Sequence, residues 1–173
     1  NYVQEGAAKV DELAGLELDW HFIGPLQSNK TRMVASRFSW VHSVDRLKIA
    51  ERLAEQRDVH LPPLNVCIQV NVSGEASKSG VSPDELRPLA ASVAGLPRLR
   101  LRGLMAIPEP TPDTALLRAR FATLRRLRDE LNATGLALDT LSMGMSDDLE
   151  IAIAEGATMV RVGTAIFGSR NPT

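Results

Sequence analysis

The chain of 173 residues is poor in several features that would announce whole classes of protein. It has a single cysteine, Cys67, so no internal disulfide framework can form, and a reducing, cytoplasmic setting is expected. No apolar run approaches the roughly 18–20 residues that a membrane-spanning helix requires, and no secretory leader is visible. Neither sign of charge dominates: 20 Lys and Arg stand against 21 Asp and Glu, for a net −1. That balance excludes a general electrostatic pull toward nucleic acid or an anionic membrane. The three histidines, His21, His42 and His60, lie at dissimilar sites without ligand spacing, so no metal centre is expected. Aromatic residues are only 4% of the chain, so its core must be aliphatic. At 44% hydrophobic residues there is enough of that material for one domain.

What is present is an alternation. Short, nearly continuous apolar runs read as strands: "WHFIG" (20–24), "FSWVHSV" (38–44), "LNVCIQVNV" (64–72), "LRLRGLMAI" (99–107), "ALDTLSM" (137–143) and "TMVRVG" (158–163). Such runs are expected of parallel strands covered on both faces. Helix-period segments lie between them, over 3–15, 29–37, 45–57, 82–96, 113–135 and 147–156. In "SPDEL" Ser82 is placed as N-cap, Pro83 at the first helical position and Glu85 to complete a capping box. In "SDDLE" either Ser146 or Asp147 can cap, and Gly15, Gly135 and Gly156 follow helices as stop signals. The arginines of "RRLRDE" read as a solvated helix face.

Six βα units in one compact stretch predict a parallel α/β fold, either an open doubly wound sheet or a (β/α)8 barrel. The chain opens "NYVQEGAAKV", without Met, as if just after another strand. One further strand-helix unit upstream would complete eight strands, which favours the barrel as a single domain over 1–173.

In either fold ligands bind beyond the C-terminal strand ends. Arg161 stands in an otherwise apolar strand, and Gly163 and Thr164 follow at a strand-to-helix turn. One reading of Arg161 is a salt bridge to a core carboxylate. The other is that it faces a ligand whose phosphate is held by Ser146 and the backbone N–H groups of Gly163 and Thr164. For Ser146 alone the plain alternative is an N-cap. Cys67 reads as inert packing. Glu75, Glu109, Asp147 and Asp148 could serve a phosphate-sugar barrel enzyme, but each reads better as a loop or cap acid.

"RVGTAIFG" resembles the strand-end motif of the fold-type III pyridoxal-phosphate enzymes, the alanine racemase barrel. More specifically, "NYVQE", "WHFIGPLQSNK", "VHSVDRLKIA", "IQVNVSGEASKSG", "LRGLMAIP", "LSMGMSDDLEIAIAEG" and "MVRVGTAIFG", in order along the whole chain, resemble the single-domain pyridoxal-phosphate homeostasis family. The resemblance implies that Arg161 faces the pyridine nitrogen of pyridoxal 5′-phosphate and that Ser146, Gly163 and Thr164 hold its phosphate. It also implies that Asn1, His21, Met105 and Ser142 line the pocket around the ring. Family members carry their Schiff-base lysine on the first barrel strand, upstream of the Asn-Tyr pair at which this chain starts. Lys9, Lys30, Lys48 and Lys78 match no such motif, and no lysine is assigned that role. Lys78, in a small-residue loop, is either a solvated lysine or a transient second amine for the aldehyde. The resemblance implies a monomer that buffers the cofactor or hands it to apo-enzymes. The alternative is a minimal amino-acid racemase. Racemisation needs a base on each face of the α-carbon, and the only tyrosine is Tyr2.

Overall fold

The computed structural model describes residues 2–74 and 79–168. The chain runs α1 (Val3–Glu12), β1 (His21–Phe22), a short 3-10 turn, α2 (Thr31–Arg37), β2 (Trp40–Val44), α3 (Leu47–Gln56), β3 (Leu64–Gln69) and α4 (Pro83–Ala94). It continues β4 (Leu99–Met105), α5 (Thr114–Ala133), β5 (Thr140–Met145), α6 (Leu149–Ala154), β6 (Met159–Arg161) and α7 (Thr164–Phe167). All six strands are parallel and lie side by side in chain order. A doubly wound sheet reverses its order at a switch point. None is present here, so the sheet is wound one way, as in a (β/α)8 barrel.

The two faces of the sheet confirm that winding. The large core lies on the helix side, where Val41, Val66, Ile68, Leu104 and Leu141 meet Ile49, Leu53, Leu86, Phe121 and Leu124. The opposite face holds only a small cluster of Trp40, Cys67 and Met105, with Ile23 and Met159 against it. A barrel interior filled by a few side chains has this form, and the aliphatic outer layer follows from the low aromatic content. Gly103 lets β4 lie against β5 at Thr140, whose backbone a Cβ there would overlap.

Helix starts follow their capping chemistry. Ser82 Oγ accepts from Glu85 N at 3.4 Å, and the Glu85 carboxylate accepts from Ser82 N at 3.4 Å, the expected capping box. The start of α6 differs from expectation. Its N-cap is Asp148, whose carboxylate accepts from Met145 N, so neither Ser146 nor Asp147 caps it. Two strands also end early: Val70 has left β3 to bridge Val81, and Ala106 and Ile107 lie beyond β4. α1 ends at Glu12, so Gly15 is past its C-cap rather than in it. The α5 arginines are largely neutralised in place: Arg118 and Arg125 both bind Glu155, Arg126 pairs with Glu130, and Arg128 with Asp129.

Candidate functional site

A cavity of about 790 Å³ opens at the C-terminal ends of the strands. His21 and His42 line it from β1 and β2, Met145 to Asp147 from the end of β5, and Met159 to Thr164 with Phe167 and Gly168 from β6 and α7. Its size suits a small organic ligand.

Arg161 sits at its inner end. The salt-bridge reading of this residue is not what the structure shows. Nη1 donates to the backbone oxygen and to Oγ of Ser142, both at 2.9 Å, and Nη2 donates to the Ala106 carbonyl at 2.9 Å. Oxygens of Ser142 in β5 and of Ala106 just beyond β4 therefore fix the guanidinium, and among the described residues no carboxylate binds it. Nε is sealed from solvent and has no partner, the one such side-chain N or O atom among the described residues. Burial pulls the guanidinium pKa down and Asp148 opposes it, yet an arginine remains cationic at any working pH. A fixed cation with a spare buried donor is costly unless an acceptor meets it.

Ser146 lies across the cavity mouth at the start of α7. Its Oγ accepts from Gly163 N at 3.3 Å and from Ala165 N at 3.2 Å. The hydroxyl oxygen thus occupies the focus of backbone donors and leaves its own proton to give away. Thr164 offers a backbone N–H and a hydroxyl with no protein partner. Gly144 holds a left-handed backbone, φ 94°, near the end of β5, and a Cβ there would press on Ala152 of α6.

A chain of polar contacts runs beneath the cavity. His42, fully buried, places Nδ1 2.8 Å from Ser142 Oγ and Nε2 2.9 Å from His21 Nδ1. Burial pushes His42 down to about 3, and His21 and Arg161 add to the effect, so the ring is neutral at pH 7. Burial also lowers His21, with Asp19 opposing. His21 stacks on Trp40, with ring centroids 5.1 Å apart, and Arg102 lies 4.8 Å from the Trp40 centroid on its way to Asp139. That column fixes the His21 ring. Cys67, buried in the inner cluster, is pushed up to about 12 and is inert as expected.

Of the residues expected at the site, His21, Ser146, Arg161, Gly163 and Thr164 line the cavity together. Met105 and Ser142 lie one layer below it: both are fully buried, Met105 in the inner cluster and Ser142 behind Arg161. Asn1 and Lys78 lie outside the described residues. The sequence offers two readings of His42 in "WVHSV", a strand-end pocket residue or, preferably, a hydrogen-bonded histidine, and both hold: it lines the cavity and both its ring nitrogens are engaged, while Trp40, two residues before it on the same face of β2, packs beneath His21. Among the described residues no lysine lines the cavity.

The winding of the sheet and the site at its C-terminal edge define a barrel protein with a small-molecule pocket. Residues 3–171 match the family model of the alanine racemase N-terminal domain, and the chain belongs to that family. It is 68% identical over 171 residues to the pyridoxal phosphate homeostasis protein of Pseudomonas aeruginosa, across 99% of this chain and 73% of that one. To the protein of the same name from Escherichia coli K12 it is 57% identical over 179 residues, across 99% of this chain and 74% of that one. Among solved structures it superposes on PipY of Synechococcus elongatus with PLP bound, at TM-score 0.87 and 41% identity, across 97% of this chain and 79% of that one. An alanine racemase of Clostridium difficile matches at TM-score 0.75 and 15% identity over 95% of this chain, which shows the shared fold.

Proposed function

We propose that this chain binds pyridoxal 5′-phosphate in the cavity and serves as a reservoir and donor of the cofactor, with no turnover of its own. The observation that carries the reading is Arg161 itself, a permanent cation that lines the cavity with its guanidinium held by Ser142 and the Ala106 carbonyl rather than by a carboxylate among the described residues. The residues present fit a phosphorylated pyridine. A permanent cation donates to a ring nitrogen and keeps that nitrogen unprotonated. Ser146 and Thr164 supply hydroxyls and Thr164 a backbone N–H for phosphate oxygens, beside the Gly163 N–H that here donates to Ser146 Oγ. Names and structures of relatives at 41–68% identity support the same ligand.

When bound, the cofactor supplies an aldehyde and an electron-poor ring. This chain's residues moderate that ring rather than exploit it. An acid at the ring nitrogen would strengthen the electron sink, and Arg161 instead weakens it. Racemisation also needs a base on each face. Glu109 is held by Arg120 at 3.7 Å, Asp148 is engaged by Met145 N, and burial holds His42 neutral with both ring nitrogens occupied. Holding and releasing the cofactor is the task that this chemistry suits. The protein is proposed to be a monomeric single domain whose partners are PLP-dependent apo-enzymes.

The test is equilibrium dialysis of the cofactor-free chain against pyridoxal 5′-phosphate, followed by intact mass after borohydride. Saturable uptake of one cofactor per chain is expected, with no mass increment at the lysines outside the cavity. Uptake that never saturates, or that equals that of an unrelated protein, would remove the reading. Exchange of the α-hydrogen of added amino acids with solvent deuterium at catalytic rates would replace the carrier with an enzyme.

A further inference from the structure

We infer that Arg161, Ser142, His42 and His21 form one directed chain of hydrogen bonds, and that this chain fixes His21 as a hydrogen-bond donor, not a base, facing the cavity. The direction follows from the donor inventory. Arginine donates and cannot accept. Arg161 Nη1 therefore gives its proton to Ser142 Oγ at 2.9 Å. The hydroxyl keeps one proton of its own. Among the described residues, His42 Nδ1 at 2.8 Å is the one acceptor within its reach. If Ser142 gives that proton to Nδ1, the neutral His42 ring must carry its own proton on Nε2.

The next link is then set. His42 Nε2–H faces His21 Nδ1 at 2.9 Å, so Nδ1 accepts and the His21 proton resides on Nε2. That nitrogen has no protein partner. It is not sealed either, since Arg161 Nε is the sole sealed and unpartnered side-chain atom among the described residues. His21 lines the cavity, and its stacking on Trp40 prevents the ring from turning away. The reverse direction would place protons on Nδ1 of both histidines. Ser142 Oγ would then face two donors and have nothing to receive its own proton, which leaves a buried hydroxyl unsatisfied. A permanent cation at one end thus sets the tautomer of a ring at the other.

The consequence is selectivity. The cavity is lined by the Arg161 cation and by the His21 donor, so it favours an electron-rich ligand that places an acceptor at His21, and it offers no imidazole base. The identity of that ligand, a pyridine with an oxygen substituent, rests on the cofactor reading above, whereas the tautomers do not.

The experiment is a long-range 1H–15N correlation spectrum of the full chain labelled with 15N-histidine, without ligand, at pH 7. Exposed His60 serves as the reference for assignment. Expected are neutral rings with Nε2 protonated and Nδ1 bare for both His21 and His42. A protonated Nδ1 on either ring, or a mixture, overturns the inference, and the wild-type spectrum alone decides this even if variants at buried Ser142 fail to fold. A second arm reads the donor on the ligand. His21→Leu should bind pyridoxal 5′-phosphate at least tenfold more weakly, and His21→Gln, which keeps an N–H donor, should recover most of that loss. Equal affinity of wild type and His21→Leu overturns the donor role. Absence of uptake by wild type, together with the expected tautomers, sinks the cofactor reading and leaves the directed chain standing.

Discussion

Arg161→Gln separates what the fold needs from what the ligand needs. The substitution removes donors to Ser142 O, Ser142 Oγ and Ala106 O. Each acceptor left unsatisfied costs roughly 1–3 kcal/mol, and a glutamine amide recovers part of that. The same substitution removes a guanidinium that is buried without a carboxylate partner, and that relief is worth several kcal/mol. The two terms are of similar size and opposite sign. The net change in stability should therefore stay within about 2 kcal/mol, read as the urea midpoint at constant m. Ligand affinity has no such compensation. Losing a charged hydrogen bond to the ring nitrogen costs roughly 1.5–3 kcal/mol, a fall of about ten- to a hundredfold. Equilibrium dialysis with pyridoxal 5′-phosphate on the same preparation reads it. Wild-type affinity combined with a loss of more than about 4 kcal/mol in stability would show that Arg161 is a structural residue and not a ligand contact.

Ser146→Ala removes one hydroxyl between the α7 donors and the ligand, and should weaken cofactor binding less than Arg161→Gln, by about tenfold in the same dialysis. His42 makes stability depend on acid: its folded pKa lies below its unfolded one, so its contribution is fully present above about pH 6.5 and is lost as pH falls toward 3. Between pH 6 and 4 urea titrations should show wild type losing roughly 2–3 kcal/mol more than His42→Gln; parallel curves would mean that the ring protonates freely in the fold. Ser82→Ala should cost about 1 kcal/mol through loss of the α4 capping box, read in the same denaturation assay. Cys67 should resist a thiol reagent in the native protein and react once urea unfolds it; fast native labelling would contradict its burial.

The alternation of strand and helix was legible because short apolar-rich segments such as β3 are separated by helix-period segments that carry caps or stop signals. The alternation alone does not separate an open sheet from a barrel; the opening of the chain and the family resemblance favoured the barrel. The choice is decided by strand order, a tertiary fact. Strand ends were overestimated where apolar residues continue past the ladder, as at Val70 and Ile107. Arg161 stood out as a charge in an apolar strand, but two of its three partners are backbone oxygens, which carry no side-chain signature. Ser142 and Met105 face inward one layer deeper than expected. Irregular register between Ser142 and Met145 shifts which residues of β5 reach the cavity, and a sequence does not display it. The His21–His42 contact joins residues 21 apart on neighbouring strands, so neither residue alone signals the other.

The central claim is that the cavity holds a phosphorylated pyridine, with Arg161 at the ring and Ser146, Gly163 and Thr164 at the phosphate. Isothermal titration of the cofactor-free chain with pyridoxal 5′-phosphate and, separately, with pyridoxal tests it most directly, because the two ligands differ only in the phosphate. The account predicts one saturable site for pyridoxal 5′-phosphate and an affinity for pyridoxal lower by tenfold or more. Equal affinities, or no heat of binding with either ligand, would contradict it.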